Sequence, residues 1–131
     1  MTPLKTIVTL SLIATAPPTI SAMTWNKRVL LIAAPDNRDP ALARQRHILA
    51  RWQAGAAERD LGVVEVVGGG VSGASDSAAA LRRRFALPSD RFTVVLIGKD
   101  GGVKLRQRLP LPATRLEETI DAMPMRRNGE R

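Results

Sequence analysis

Arg28-Val29-Leu30-Leu31-Ile32-Ala33-Ala34 is a continuous apolar run of strand length, closed by the turn-forming Pro35-Asp36-Asn37-Arg38. A run without polar alternation marks a strand covered on both faces, and such a sheet needs helices above and below it. The flanking chain supplies them. Asp39 and Pro40 make an N-cap and first-turn pair. Pro40 to Ala57 then reads as one amphipathic helix, with Leu42, Gln45, Leu49, Trp52 and Ala56 on its inner stripe and Gly55 weakening its last turns. Leu61 to Val67 is a second buried strand, broken by Gly68-Gly69-Gly70. Ser75-Asp76-Ser77 caps a helix reaching Phe85, whose apolar stripe is Ala78, Leu81 and Phe85. Phe92 to Ile97 is a third strand. Asp100-Gly101-Gly102 supplies a tight hairpin turn, and Val103 to Arg108 pairs back as a fourth strand. A last helix starts at Pro112 or Thr114, carries Leu116, Ile120 and Met123 on its core side, and stops at Pro124. Met125 to Arg131 is a basic tail.

The order is β-α-β-α-β-β-α. A β-α-β unit gives two parallel strands through a right-handed crossover, and the terminal hairpin is antiparallel by geometry. The expectation is an α/β fold of thioredoxin-like type. It is a three-layer sandwich with a four-stranded mixed sheet, helices on both faces, and strands in the order second, first, third, fourth.

The first residues read as a leader. Lys5 is a short positive region, Ile7 to Ala16 is apolar, and Pro17-Pro18 ends the run. A membrane-spanning helix needs about 20 apolar residues, so a cleaved signal peptide fits better than an uncleaved anchor. Ile20-Ser21-Ala22 offers a cleavage site. The expected division is a signal peptide over 1–22 and one domain over 23–131, exported to the periplasm or secreted. The chain has no cysteine, which excludes thiol redox chemistry, zinc–thiolate sites and disulfides. Its 20 Lys+Arg against 12 Asp+Glu give a formal charge of +8. That excess suits anionic partners of the cell envelope, a protein or anionic ligand, with weak contact to anionic membrane surfaces. Nucleic acid is not expected, because base stacking needs aromatics and the chain has two Trp, two Phe and no Tyr. An Arg-rich solvated surface is the plainer reading of the same charge.

Four segments resemble a bacterial family known as domain of unknown function 4174. They are Leu30-Leu31-Ile32-Ala33-Ala34-Pro35-Asp36, Glu58-Arg59-Asp60, Ile97-Gly98-Lys99-Asp100-Gly101-Gly102-Val103-Lys104, and Ile120-Asp121-Ala122-Met123-Pro124-Met125-Arg126-Arg127. The resemblance implies a thioredoxin-like or peroxiredoxin-like fold in an extracellular setting and no assigned activity. In working thioredoxins a Cys-x-x-Cys follows the first strand, where this chain has Pro35-Asp36-Asn37-Arg38. A proline precedes the third strand there, where this chain has Arg91-Phe92, with Pro88 several residues too early. Without a thiolate there is no nucleophile for disulfide exchange.

No residue stands out as catalytic, and no metal or cofactor is expected. His47, the one histidine, shares its helix face with Arg44 and Arg51. Gly68 to Gly73 lacks the spacing of a phosphate loop and reads as a linker. Asp36 and Asp39 are too few to hold calcium and suit turn and cap duty. Chain direction, however, gathers three charged motifs at the sheet end away from the vacant redox loop. Arg59, Asp60, Lys99, Asp100, Lys104, Asp121, Arg126 and Arg127 form either a salt-bridge network that orients loops or an anion or partner site. The leading expectation is therefore an exported, non-enzymatic binding or interaction module. The alternatives are an enzyme using the Asp/Arg cluster on an anionic substrate, and electrostatic attachment through Arg82-Arg83-Arg84 and the tail.

Overall fold

Arg28–Ala34 forms strand β1, and all seven of its residues are buried. Its pleat divides the interior in two. Leu30, Ile32 and Ala34 join Leu42, Trp52, Leu116 and Ile120 on one side. Val29, Leu31 and Ala33 join Ile20, Met23, Leu81 and Phe85 on the other. Side chains along a strand alternate between faces, so one uninterrupted apolar run builds two cores. The computed structural model describes residues 16–131. Most of the expected leader, including Lys5, lies outside the described residues.

The remaining elements follow in chain order. They are α1 (Pro40–Arg51), α2 (Gln53–Glu58), β2 (Leu61–Val67), β3 (Gly70–Ser72), α3 (Ala78–Phe85), β4 (Thr93–Ile97), β5 (Val103–Gln107), α4 (Ala113–Asp121) and α5 (Pro124–Arg127). A single 3-10 turn, Ser21–Met23, precedes β1. Asp39 caps α1 by accepting from the amides of Ala41 and Leu42 at 2.8 and 3.2 Å. Ser77 caps α3 through the amide of Ala80 at 3.1 Å.

The sheet has five strands in the order β3-β2-β1-β4-β5. The expected four-stranded order survives inside it and is corrected by one edge strand. Gly68, at φ +56°, turns the chain, and Gly70–Ser72 pairs back on Glu65–Val67. Three residues with one apolar side chain carry no periodicity, so the sequence hides this strand. The β1–β2 pair is parallel and the β1–β4 and β4–β5 pairs are antiparallel. Two expected helix ends also change. The first helix breaks at Trp52, whose φ is −116°. The last helix yields at Met123 to the short α5, which occupies part of the expected tail. Among the described residues no helix is long and apolar enough to cross a membrane.

The expected boundary at Ala22 falls within packed structure. Ile20 is 3% exposed and belongs to the core under α3. Its amide donates to Asp76 Oδ2 at 2.8 Å.

Candidate functional site: a charged pole with an apolar hollow

The register places the start of β1 beside the ends of β4 and α2. Val29 stands opposite Ile97, and Arg28 stands opposite Leu61. The Arg28 amide donates to the Asp60 carbonyl at 2.9 Å, and the Trp25 amide donates to the Lys99 carbonyl at 2.6 Å. The hairpin turn, the end of α2 and the α4–α5 junction thus meet at one end of the sheet, away from Pro35-Asp36-Asn37-Arg38.

Most charges there are paired. Arg59 grips Asp121 through Nε and Nη2 at 3.0 and 3.1 Å. Arg126 bridges Glu58 at 2.6 Å and Asp121 at 3.2 Å, tying α5 to α2. Lys99, 7% exposed, donates to Asp60 Oδ2 at 2.9 Å, while Arg131 reaches Asp60 Oδ1 at 3.0 Å. Lys104 holds Asp100 at 2.8 Å across the turn. These cations stabilise the carboxylate form. The Lys99 hydrogen bond holds Asp60 below the usual carboxylate range. Arg59, and after it Arg126, does the same for Asp121. Lys104 and the Gly102 amide do so for Asp100. General acid–base catalysis needs a group poised near the working pH, and these three are pushed away from it. Of the eight residues singled out in the sequence, seven are joined in these pairs. Arg127 is exposed and makes no ion pair among the described residues.

Arg28 behaves differently. It is 1% exposed, and its Nη1 donates to the carbonyls of Arg59 and Arg131 at 2.8 and 2.7 Å. Its Nε is buried without a partner, and it makes no direct ion pair with an Asp or Glu side chain among the described residues, although Asp60 and Asp121 lie near enough to favour its charge. Burial, the largest influence on it, lowers its affinity for its proton. A buried cation is costly unless something offsets it, and here two carbonyl oxygens and the nearby Asp60 and Asp121 carboxylates do so in part. Arg28 lines a hollow of about 190 Å³ with Trp25, Gly98, Lys104, Met123 and Met125. Trp25 is 64% exposed and sits at φ +71°, a left-handed backbone that a bulky residue adopts only under constraint. Asp60, at φ +48°, is a second such residue at the same pole. Strained backbone concentrates where geometry is dictated by use.

Sequence reasoning missed Trp25, Arg28, Met123 and Met125 as site residues. Arg28 read as the polar start of a strand and Met123 as core. Only the meeting of the segment before β1 with the β4–β5 hairpin and the α4–α5 junction reveals a shared hollow.

The other candidates resolve into structural roles. Asp36 accepts from the Arg38 amide at 2.7 Å, and Asp39 is the α1 cap. His47 is exposed beside Arg44 and Arg51. Gly73, at φ +86°, is fixed by crowding, since a Cβ there would lie 2.2 Å from the Val63 carbonyl oxygen. Among the described residues no group of three or more His, Asp or Glu is placed to hold a metal ion. At the opposite pole Arg91, Arg106 and Arg108 line a polar cleft of about 360 Å³. Arg106 is already committed there to the carbonyls of Phe85 and Ala86 that end α3. A family model described as "Domain of unknown function (DUF4174)" matches residues 19–129.

Proposed function

The chain belongs to the domain of unknown function 4174 family, and from that premise we propose that it is an exported, non-redox binding module on a thioredoxin-like scaffold. Its ligand is anionic on one side and apolar on the other, and it seats in the hollow over Arg28. The observation that carries this reading is Arg28 itself, a buried guanidinium that bonds no Asp or Glu side chain and keeps an unpartnered Nε beneath an apolar rim of Trp25, Met123 and Met125. A guanidinium in a sheltered site favours carboxylate or phosphate oxygens, and the rim favours a short apolar group beside them. The paired carboxylates around it argue against an enzyme, since none is left free to move a proton.

Titration of the protein with straight-chain carboxylates from acetate to octanoate, followed by tryptophan fluorescence, tests the reading. Affinity rises with chain length until the hollow is filled, and Arg28→Met removes it. Arg28→Met also gives up the hydrogen bonds to the Arg59 and Arg131 carbonyls, which costs about 1–3 kcal/mol, so its melting temperature falls and binding is compared at a temperature where both proteins are folded. Unchanged affinity in Arg28→Met, or no saturable signal across the series, rejects the proposal. Attachment to an anionic surface through Arg83 and Arg84, both exposed on α3, predicts instead vesicle binding that collapses as salt rises.

A further inference from the structure

The end of the sheet opposite the Arg28 hollow carries positive charge that no carboxylate balances. Register sets Val95 opposite Arg106 and Val94 opposite Gln107, so the next step sets Thr93 opposite Arg108. Side chains alternate along a strand, so Thr93, Arg106 and Arg108 share with Val95 the face that carries α3. Arg106 donates from its two terminal nitrogens to the Phe85 and Ala86 carbonyls, at the negative end of α3, and its guanidinium is anchored there. With Arg91, Arg108 and Thr93 it lines the cleft of about 360 Å³, and no Asp or Glu lines it. Arg91 meets only Asp90, at 3.6 Å between exposed side chains. Arg108 is exposed and makes no ion pair or side-chain hydrogen bond among the described residues. Thr93 is 2% exposed, and its hydroxyl has no hydrogen-bond partner among the described residues.

We infer that this cleft is a second binding site, for a tetrahedral dianion: phosphate or sulfate, free or as the end group of a small ester. Arg91 and Arg108 bring two uncommitted positive charges to a doubly negative group, and Arg106 stands beside them on a fixed anchor. Guanidinium groups hold such oxygens through paired, charge-assisted hydrogen bonds. Thr93 offers a hydroxyl that no group of the chain engages, and an oxyanion accepts its hydrogen bond. The cleft lacks the Trp25 and Met123 rim of the Arg28 hollow, and its apolar neighbours are the small Ala86 and Pro88. It therefore suits a compact polar group rather than an alkyl carboxylate. Its volume falls at the small end of the range for small-molecule sites, roughly 300–1,000 Å³. Arg28 lies at the opposite end of β1, so the two sites stand or fall separately.

Isothermal titration calorimetry of the full chain with inorganic phosphate, sulfate, glycerol phosphate and acetate reads the site. It is run at fixed ionic strength and about pH 8, where a phosphate group is mostly doubly charged. The expected result is saturable one-to-one binding of the dianions, with acetate roughly tenfold weaker or more. Arg91→Gln and Arg108→Gln, both at exposed positions, each weaken phosphate roughly tenfold, the effect of losing a charge-assisted hydrogen bond. Thr93→Val weakens it about threefold or more and leaves the melting temperature in place, because the hydroxyl has no partner within the domain. Arg115→Gln removes the same charge from an exposed position on α4 and leaves the affinity unchanged. The tighter of inorganic phosphate and glycerol phosphate identifies the free ion or the ester as the source of the group. Equal weakening by Arg115→Gln would reduce the effect to net charge and overturn the site. Acetate binding as tight as phosphate, no saturable binding of any dianion, or a Thr93→Val variant that loses stability at unchanged affinity would overturn it as well.

Discussion

Gly55 is a glycine because Trp52 occupies the space where its side chain would stand. A Cβ at position 55 would lie 2.1 Å from Trp52 Nε1 and 2.6 Å from the adjoining ring carbon. Helix propensity alone ranks alanine over glycine by about 1 kcal/mol in a helix interior. The contact opposes that gain, because the indole would have to leave its seat. It would surrender its 2.7 Å hydrogen bond to Glu117 and its place under the Arg59 guanidinium, 5.7 Å from the ring centre. Overpacking costs typically about 1–3 kcal/mol and a lost partly buried hydrogen bond about 1 kcal/mol, so the clash wins. Gly55→Ala is expected to lower unfolding stability by about 1–3 kcal/mol in urea denaturation. A stabilised variant would show that the ring swings aside freely. The glycine is legible in the sequence as a weak point of a helix; its reason is not, since that depends on a side-chain rotamer three residues away.

Between elements, the clearest latch joins α1 to the loop before α4. Gln45 is fully buried, and its amide makes a reciprocal pair with Leu111, donating to the carbonyl at 3.1 Å and accepting from the amide at 2.7 Å. Gln45→Leu keeps the volume and removes both bonds. It leaves one buried N–H and one buried C=O unpaired, each costing about 1–3 kcal/mol. The expected loss is about 2–5 kcal/mol in the same denaturation assay, and a loss below 1 kcal/mol would mean that water reaches the loop. Helical spacing places Gln45 on the inner stripe, so its burial is readable from the chain. Its partner is 66 positions away and is not. The strands divide in the same manner. β1 and β4 announce themselves as apolar runs because both faces are covered. The edge strand β3 is held by pairing alone, and its one valine gives no pattern. The charged pole follows from chain direction. The hollow beneath it does not, because Trp25 and Met123 meet only through the hairpin and the α4–α5 turn.

Across the whole molecule, the carboxylates of this pole couple folding to pH. Asp60, Asp100 and Asp121 all sit below the ordinary carboxylate range in the folded chain, each chiefly through a hydrogen bond from a basic side chain. A group whose folded pKa is depressed adds stability that is complete above its unfolded value, about 3.9 for aspartate. That stability is lost as pH falls through the folded value. Stability should therefore be level from neutrality to about pH 5 and fall steeply below about pH 4, while the protein's positive charge, already +8, grows. Lys99→Met isolates one part of that dependence. Lys99 and Asp60 are the most sheltered ion pair of the pole, with side chains 7% and 22% exposed. The variant keeps the aliphatic stem and removes the ammonium, leaving Asp60 with Arg131 alone. At pH 7 it should be less stable than wild type by about 1–3 kcal/mol, the usual range for leaving a buried or partly buried charge without its hydrogen-bond partner. As pH falls toward 3 and below, Asp60 takes up its proton in both proteins and the difference between them should shrink. Urea denaturation of both proteins at pH 7, 5 and 3 reads this directly. A difference that stays constant with pH would assign the role of Lys99 to packing of its stem against the hollow rather than to its charge.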